Sequence, residues 1–340
     1  MKNVLVTGGL GFLGSNFLRL WHRRYPRSRI INVDRLTYAG GIDNLGKLRE
    51  SPLYAESRLD LADLRRLREL KPKTPVTIVH FAAETHVDRS LLDAQPFIRT
   101  NIQGTHALLQ FARLREAERV IIISTDEVYG PTPQRQKFKE TQPLNPTNPY
   151  AASKAAADLL ALAYRHTHDV PVYILRSVNV FGPRQYPEKF MPLFITNALA
   201  GKPLPLYGDG LQERDWLWHE DFCEAVRLLV VARSPEHHVY HIAAGNQKRN
   251  IDVAQAIISG TNCPRQLLRH VADRVGHDTR YALNDSRFRR EFNWHPTMPW
   301  PDGLKETIEW YRTHPAWINK RLRRSFFAYY RRQYHWRLDG

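Results

Sequence analysis

A strand followed directly by closely spaced glycines is the feature that most constrains the fold of this chain. The β-branched run Asn3–Thr7 leads into Gly8, Gly11 and Gly14, and a helical pattern follows. Glycines at this spacing let the backbone turn tightly and approach a pyrophosphate, whose charge then lies at the helix N-terminus. The pattern predicts the opening of a dinucleotide-binding unit.

Acidic residues at the ends of the next two predicted strands indicate the type of dinucleotide. Ile30–Val33 ends in Asp34, where the ribose-binding acid of such a unit is expected. A carboxylate there accepts a hydrogen bond from the ribose 2'-hydroxyl and repels a 2'-phosphate, which favours NAD over NADP. Asp60 follows a predicted strand over residues 53–59 and is placed to meet the adenine end.

Strands and helices continue to alternate through the first half of the chain. Val76–His80 is a predicted fourth strand, and the small residues Ala82 and Ala83 after it suit backbone packed against a cofactor. Because polar residues gather after the strand ends, the pattern predicts an α/β, Rossmann-type doubly wound parallel sheet. Beyond residue 176 the pattern loosens, which predicts a smaller mixed α/β C-terminal region that binds substrate.

Four polar residues after the predicted fifth strand form a candidate catalytic group. Asp126 and Glu127 follow the apolar run 121–123, where burial of charge is costly unless the groups are partnered or used. Tyr150 and Lys154 are four residues apart, so on a helix they share a face and the ammonium can stabilise a phenolate. We interpret them as a base, an acid and a second base around one small molecule.

The second half of the chain supplies cations and an aromatic ring at separated positions. Lys189, Arg214 and Arg274 suit phosphates, and Tyr207 can stack on or hydrogen-bond to a flat base. Each residue alone is more typical of a solvated surface. Their occurrence beside a dinucleotide-binding half favours a ligand that carries phosphates and a base.

Composition sets limits on the class of protein. The 340 residues are 42% hydrophobic, which is ample for a core. Cys223 and Cys263 form neither a disulfide framework nor a metal-ligand cluster, so we expect a reducing compartment and no metal site. The N-terminus lacks the apolar stretch of a signal peptide, and no apolar run approaches the roughly 20 residues that a membrane span needs. We therefore expect a cytoplasmic protein.

The formal net charge of +16 is concentrated partly in a basic and aromatic C-terminal segment, residues 318–340. The favoured interpretation is a surface helix whose rings pack inward while its arginines stay in water. The alternative is docking of residues 320–337 on anionic membrane headgroups or a polyanion. We expect no specific nucleic acid partner, since binding that rests on charge alone would vanish at moderate salt.

At this point the motifs resemble a known family. Thr7-Gly8-x-x-Gly11-x-x-Gly14 with Tyr150-x-x-x-Lys154 resembles the extended short-chain dehydrogenase/reductase family, whose members act mostly on nucleotide sugars. Within it, residues 82–90, 124–130, 187–189, 214–216 and 272–278 resemble the dTDP-glucose 4,6-dehydratases. The triplet 125–127 is the most specific element, because related epimerases and decarboxylases usually carry other residues there.

The resemblance implies a hydro-lyase that uses tightly bound NAD, regenerated in each cycle, to convert dTDP-D-glucose to dTDP-4-keto-6-deoxy-D-glucose. Tyr150, helped by Lys154, would take the proton of the sugar 4-hydroxyl during oxidation at C4, and Thr125 would hydrogen-bond the C4 oxygen. Glu127 would then remove the C5 proton while Asp126 protonates the departing 6-hydroxyl. Hydride return to C6 would complete the reaction.

The resemblance also implies binding residues, domains and an assembly. The NAD positions are Gly8, Gly11, Phe12, Leu13, Gly14, Asp34, Arg35, Leu36, Thr37, Asp60, Leu61, Ala82, Ala83, Thr100, Tyr150 and Lys154. The nucleotide-sugar positions are Thr85, Thr125, Asn179, Lys189, Phe190, Pro205, Tyr207, Arg214, Asn250, Asp273, Arg274 and His277. We expect an NAD-binding domain over residues 1–176, a mainly nucleotide-sugar-binding region over 177–317, the segment 318–340, and a homodimer formed by the helices after Ser90 and Tyr150.

Three alternatives stay open from the sequence. The nearest is a dehydratase for another sugar nucleotide, such as UDP-glucose, CDP-glucose or, with 5,6-elimination, UDP-GlcNAc. An epimerase or decarboxylase is less favoured, since neither reaction needs a proton donor for a 6-hydroxyl. A non-catalytic NAD-sensing protein is disfavoured because such proteins commonly lose the tyrosine, the lysine or the carboxylates, and all are present here.

Overall fold

The computed structural model describes residues 3–335 of the chain. The strands within this range are β1 (Asn3–Thr7), β2 (Ile30–Val33), β3 (Tyr54–Ser57), β4 (Val76–His80), β5 (Arg119–Thr125), β6 (Val172–Ser177), β7 (Asn179–Phe181), β8 (Leu204–Tyr207), β9 (Glu213–Trp218), β10 (Val239–Ile242), β11 (Gln247–Arg249) and β12 (Leu268–Val271). The third strand is shorter than the predicted residues 53–59, and the other predicted early strands are present.

Seven strands form one parallel sheet in the order β10-β6-β5-β4-β1-β2-β3. The chain winds outward from β1 through β2 to β3, and then from β4 through β5 to β6 on the other side. The winding therefore reverses between β1 and β4, which is where open parallel sheets bind ligands beyond their carboxyl ends. The predicted Rossmann-type doubly wound sheet is confirmed.

Helices cover both faces of this sheet and build the C-terminal region. They are α1 (Phe12–Arg24), α2 (Leu64–Glu69), α3 (Val87–Leu92), α4 (Gln95–Phe97), α5 (Gly104–Leu114), α6 (Pro149–His168), α7 (Phe190–Leu199), α8 (His219–Val231), α9 (Asn250–Thr261), α10 (Ser286–Phe292), α11 (Trp300–Thr313), α12 (Pro315–Arg321) and α13 (Arg324–Tyr330). Ile98–Gln103 forms π-helical turns between α4 and α5.

The central strands form because their residues are apolar on both faces. Every residue of β5 is buried, and neighbouring side chains of a strand point to opposite sides. Ile121 belongs to a cluster with Phe17 and Trp21 of α1. Ile122 belongs to a separate cluster with Phe111 of α5. Burial on both sides holds β5 rigidly, so the residues that follow it have a fixed origin.

Two smaller sheets and a third apolar cluster make up the C-terminal region. Their strand orders are β11-β9-β7 and β12-β8. The cluster joins residues of α7, α9 and α11, with Trp216 of β9 and Leu206 of β8 among them. Strand β10 returns to the main sheet beside β6. The division at residue 176 stays a prediction.

Residues 318–335 of the C-terminal segment fold onto this region. Phe326, Tyr329 and Tyr334 are buried in it, as the favoured interpretation expects. Arg321 does not stay in water: it is buried, and its Nη1 donates to Asp43 Oδ2 at 2.8 Å. Residues 336–340, which include the end of the predicted docking stretch, lie outside the described residues. None of the helices in residues 3–335 combines the length and apolar character needed to cross a membrane.

Candidate active site

The two adjacent carboxylates lie directly beyond β5. Thr125 ends the strand, and Asp126–Tyr129 forms a single 3-10 turn. The Thr125 hydroxyl accepts from the Glu127 amide at 3.3 Å and donates to Asp126 Oδ1 at 3.1 Å. Asp126 is 3% exposed, and its Oδ2 has no hydrogen-bond partner among the described residues. One oxygen of Asp126 therefore stays available for a reacting group.

Burial sets the protonation state of Asp126. The pKa of Asp126 is raised from 3.8 to about 8. Desolvation by burial is the largest cause, and the charge of the neighbouring Glu127 is the second. Arg214 opposes the shift. A carboxyl group with this pKa is mostly protonated at neutral pH, as a general acid must be.

Glu127 is positioned by the helix that follows it in sequence. Asn148 is the N-cap of α6, and its Oδ1 accepts from the Ala151 amide at 2.9 Å. The Asn148 Nδ2 donates to Glu127 Oε2 at 3.4 Å. Glu127 is half-buried, unlike Asp126. The two carboxyl groups thus have different surroundings, which is how neighbouring acids take opposite roles.

Tyr150 lies in the first turn of α6, facing the same cavity. Its amide donates to Ser90 Oγ at 3.2 Å. Its ring packs edge-on against the ring of Phe97, with 6.3 Å between the ring centres. Burial raises the pKa of the Tyr150 hydroxyl, Glu127 adds to the rise, and a hydrogen bond with the Thr125 side chain lowers it. The hydroxyl therefore meets Thr125, the residue expected at the C4 oxygen.

Lys154 lines the same cavity one helical turn after Tyr150, but its hydrogen bond goes to the main chain and not to the Tyr150 hydroxyl. Its Nζ donates to the main-chain oxygen of Ile123 at 2.6 Å. Within residues 3–335 no hydrogen bond joins Lys154 to Tyr150. Burial lowers the pKa of Lys154, and Asp158 counteracts this. The ammonium is fixed by the strand that carries the carboxylates.

The glycine turn has the close backbone approach that a dinucleotide requires. Gly8 has φ of +72°, and a Cβ there would lie 2.6 Å from the Ala82 amide nitrogen. A Cβ on Gly14 would lie 2.2 Å from the Gly8 oxygen. Asp34 accepts from the amides of Leu10 at 2.9 Å and Leu36 at 2.7 Å, which holds the turn against β2. These features fit NAD.

Three adjoining cavities at the carboxyl ends of the strands bring nearly all predicted site residues together. The cavity at the glycine turn and β5 is lined by Gly8, Gly11, Phe12, Leu13, Gly14, Ala83, Thr85, Thr125, Asp126, Glu127, Tyr150, Lys154, Asn179, Lys189 and Phe190. The second, beside β2, is lined by Gly8, Gly11, Asp34, Arg35, Thr37, Asp60, Leu61, Ala82, Ala83 and Thr100. The third, toward the C-terminal region, is lined by Thr85, Asn179, Lys189, Phe190, Pro205, Tyr207, Arg214, Asn250, Arg274 and His277.

Two predicted residues lie behind this lining. Leu36 donates its amide to Asp34 and does not line the cavities. Asp273 Oδ1 accepts from His277 Nδ1 at 2.7 Å, and its Oδ2 accepts from Gln212 at 3.0 Å. Asp273 therefore orients a lining residue from outside the third cavity.

The third cavity contains the cations expected for a nucleotide sugar, together with the acids Asp88, Glu127 and Glu188. Arg274 Nη1 donates to Asp88 Oδ1 at 3.0 Å, and Lys189 Nζ donates to the Thr85 oxygen. Arg214 is buried over the ring of Tyr281, with 4.3 Å between the guanidinium carbon and the ring centre. Cations held in this way suit phosphate oxygens.

Sequence reasoning did not select several residues that line the site. Tyr334 from the C-terminal segment stacks on Tyr207 with ring centres 5.9 Å apart, and Trp216 and Glu188 line the cavities as well. The four-residue spacing of Phe326, Tyr330 and Tyr334 was a signal that one helix face is aromatic. It did not indicate where that face packs.

Fold and site are those of an extended short-chain dehydrogenase/reductase. The family model described as GDP-mannose 4,6 dehydratase matches residues 5–307, and the chain belongs to this family. A dTDP-glucose 4,6-dehydratase from Streptomyces niveus is 43% identical over 319 residues, which cover 92% of this chain and 94% of the relative. The resemblance found in the sequence is confirmed.

Solved structures give the same result. The crystal structure of DesIV, a dTDP-glucose 4,6-dehydratase from Streptomyces venezuelae with NAD bound, is 42% identical, has a TM-score of 0.89 and covers 94% of this chain and 100% of that chain. The UDP-glucose 4-epimerase of Thermus thermophilus, in complex with NAD, has a TM-score of 0.83 at 27% identity, covering 92% of this chain and 100% of that chain. The shared fold therefore includes both reaction types, and the site must separate them.

Proposed function

We propose that this chain is an NAD-dependent dTDP-glucose 4,6-dehydratase, a hydro-lyase that forms dTDP-4-keto-6-deoxy-D-glucose. The observation that carries the proposal is the buried Asp126, whose pKa is about 8, next to the half-buried Glu127 in the cavity that the glycine turn also lines. Epimerisation needs no such acid. The names of the similar proteins support the same activity.

NAD would be held by the glycine turn, by Asp34 at the ribose and by the residues that line the cavity beside β2. Bound NAD would supply the hydride chemistry, as the acceptor of the C4 hydride and the donor of a hydride to C6, while C5 takes back a proton. Tyr150 takes the proton of the 4-hydroxyl, and Thr125, whose side chain hydrogen-bonds the Tyr150 hydroxyl, would bond the C4 oxygen. Burial raises the pKa of Tyr150 and so opposes its ionisation. The positive charge of Lys154 in the same cavity would act in the opposite direction and favour the phenolate.

Elimination follows from the two carboxyl groups. Oxidation at C4 makes the C5 proton acidic, and Glu127 removes it as a general base. Asp126 gives its proton to the 6-hydroxyl, so that the C6–O bond breaks and water leaves. Asp126 Oδ2, which has no hydrogen-bond partner within residues 3–335, is the atom suited to this transfer.

The nucleotide would occupy the third cavity. Arg274 and Lys189 would pair with the diphosphate, and Tyr207 and Tyr334 would lie toward the base. Cations neutralise a diphosphate, and stacked rings offer a flat apolar surface for the base. Thr85 and Asn179 border both the first and the third cavity, and so would meet the sugar between them.

A panel of sugar nucleotides tests this proposal. Purified protein is incubated with dTDP-glucose, UDP-glucose, CDP-glucose, GDP-mannose and UDP-GlcNAc, and the products are identified by mass and by the absorbance of a 4-keto sugar in base. We expect dehydration, fastest with dTDP-glucose. Preference for another nucleotide would identify the nearest alternative, and a 5,6-unsaturated product would identify the UDP-GlcNAc type. An epimer from any of them, or no product at all, would refute a dehydratase.

The proposal includes a homodimer. Leu91 and Leu92 of α3, Ile98 after α4, and Leu159 of α6 are exposed apolar residues, with Leu159 58% exposed. Helix α3 and the turns that contain Ile98 both contact α6, so these residues belong to neighbouring elements. A second copy of the chain is the occupant we propose for this surface.

Sedimentation of Leu159→Glu tests the dimer. The introduced charge would have to be buried at the interface, so we expect a shift toward monomer at the same protein concentration. Leu211→Glu, at a leucine that is 51% exposed elsewhere, is the control. An equal sedimentation coefficient for wild type and Leu159→Glu would contradict this interface.

A cytoplasmic location and the absence of a specific nucleic acid partner stay parts of the proposal. Membrane contact by the C-terminal segment is the weaker alternative, since the rings of Phe326, Tyr329 and Tyr334 are buried in the protein. Binding to anionic vesicles, compared between wild type and a variant with Arg331 and Arg332 changed to glutamine, tests this contact. Equal binding would remove the alternative.

A further inference from the structure

Asp88 is a buried carboxylate to which the catalytic steps assign no role. It lies in α3 and is 2% exposed. Its Oδ1 accepts from Arg274 Nη1 at 3.0 Å. Its Oδ2 accepts from the Tyr207 hydroxyl at 2.8 Å and, more distantly, from the Tyr329 hydroxyl at 3.5 Å. One side chain thus joins the diphosphate-binding cation and the base-side tyrosine, which lie on separate elements.

The surrounding contacts extend this arrangement into the C-terminal segment. The Tyr207 hydroxyl accepts from Gln333 Nε2 at 2.6 Å, while it donates to Asp88. The Tyr329 hydroxyl is 2.8 Å from His86 Nε2. Four separate parts of the chain therefore meet at one carboxylate: α3, the end of β8, the loop with Arg274, and the segment with Tyr329.

A carboxylate in this cavity would repel a diphosphate unless a cation of the protein neutralised its charge. Burial acts to raise the pKa of Asp88, but the charge of the directly paired Arg274 and the hydrogen bonds from Arg274 and Tyr207 outweigh it and lower this pKa. A buried acid with three donors keeps those donors in fixed positions. The guanidinium of Arg274 has further N–H groups that remain for phosphate oxygens.

We infer, building on the function proposed above, that Asp88 is a positioning residue for the nucleotide: it holds Arg274 toward the diphosphate and Tyr207 toward the base. Asp88 itself takes no part in proton transfer. The substrate class that this recognises is a nucleoside diphosphate, so the effect belongs to nucleotide binding and not to the chemistry at the sugar.

Binding of dTDP to the intact NAD-loaded protein tests this inference without any turnover. Asp88→Asn keeps the shape of the side chain but removes its charge and one acceptor oxygen. We expect the Kd for dTDP, measured by calorimetry, to rise roughly tenfold to a hundredfold, because two buried donors lose their acceptor. With dTDP-glucose, KM should rise by a similar factor while kcat changes by less than about threefold.

Two further variants separate positioning from a structural role. Asp221→Asn is the matched control, since Asp221 is also buried and accepts from Thr297 at 2.6 Å and from the Met298 amide at 3.1 Å, outside the cavities. Tyr207→Phe removes one of the donors. We expect Tyr207→Phe to weaken dTDP binding in wild type and to have a smaller effect in the Asp88→Asn background, because the hydrogen bond is already lost.

The outcomes are distinct. The inference would be overturned if Asp88→Asn bound dTDP as wild type does, or if the effects of Asp88→Asn and Tyr207→Phe were fully additive. It would also be overturned if the loss of dTDP binding only paralleled a loss of NAD and a lower melting temperature. A selective loss of dTDP binding supports it. If the protein binds dTDP in this Asp88-dependent way but forms no 4-keto product, the proposed dehydratase activity fails while the positioning role stands.

Discussion

Replacing Asp126 by asparagine removes the proposed general acid while keeping its shape. The Asp126 carboxyl has a pKa of about 8 instead of 3.8, chiefly because it is buried. The folded chain therefore holds this proton between about pH 4 and pH 8, where the unfolded chain releases it. At pH 7 this difference costs the folded state roughly 4 kcal/mol, at 1.36 kcal/mol for each pH unit above the ordinary pKa.

Asparagine has no proton to hold and so carries no such cost. Asp126→Asn should therefore make the protein more stable and less active. We expect Asp126→Asn to unfold at higher denaturant concentration than wild type at pH 7, and the gap to shrink as pH is lowered toward 4. Turnover of dTDP-glucose should fall by about 10² to 10⁴ because the 6-hydroxyl has lost its proton donor. Oxidation at C4 does not need Asp126, so NADH absorbance should appear on mixing with substrate and then persist.

The pH profile of wild type is the companion measurement. Since Asp126 must be protonated to act, kcat should decline as pH rises through about 8. Asp221→Asn serves as the control for changing a buried aspartate. Wild-type turnover in Asp126→Asn, failure to accumulate NADH, or a kcat that stays constant through pH 9 would refute the assignment.

Three other substitutions test separate parts of the site. Glu127→Gln should still oxidise C4 but should not exchange the C5 proton with deuterated solvent, and exchange at the wild-type rate would contradict its role as base. Tyr150→Phe should form no NADH on mixing with substrate, in contrast to Asp126→Asn, and rapid NADH formation would exclude Tyr150 as the first base. Gly8→Ala should purify without NAD and be less stable, because its Cβ would lie 2.6 Å from the Ala82 nitrogen at a φ of +72°. A full NAD content, measured after denaturation, would contradict the role of the glycine turn in NAD binding.

The fold was largely predictable because it depends on local patterns. Each early strand is an apolar run, and the acids Asp34, Asp126 and Glu127 follow strand ends, where a parallel sheet gathers its ligand-binding residues. Tyr150 and Lys154 line one cavity because a helical spacing of four places them on one face. The third strand came out shorter than predicted since strand ends depend on neighbours that the pattern does not show.

The contacts between distant parts of the chain could not be predicted. Asp88 meets Arg274 across 186 residues, and Tyr329 meets His86 across 243. Nothing local to residues 320–335 indicates that Tyr334 lines the third cavity, or that Phe326 and Tyr329 are buried where they are. Lys154 likewise donates its hydrogen bond to the Ile123 oxygen and not to Tyr150, because of the way α6 packs against β5. Such choices depend on tertiary packing, which charge and periodicity alone leave undetermined.

The fate of the hydrogen at sugar C4 tests the central claim most directly. dTDP-glucose that carries deuterium at C4 is converted by the purified protein, and the product is examined by NMR and mass spectrometry. The account predicts a 4-keto-6-deoxy product with the deuterium at C6 and a solvent-derived hydrogen at C5. Deuterium retained at C4 of an epimer, or a dehydrated product with no deuterium at C6, would contradict it.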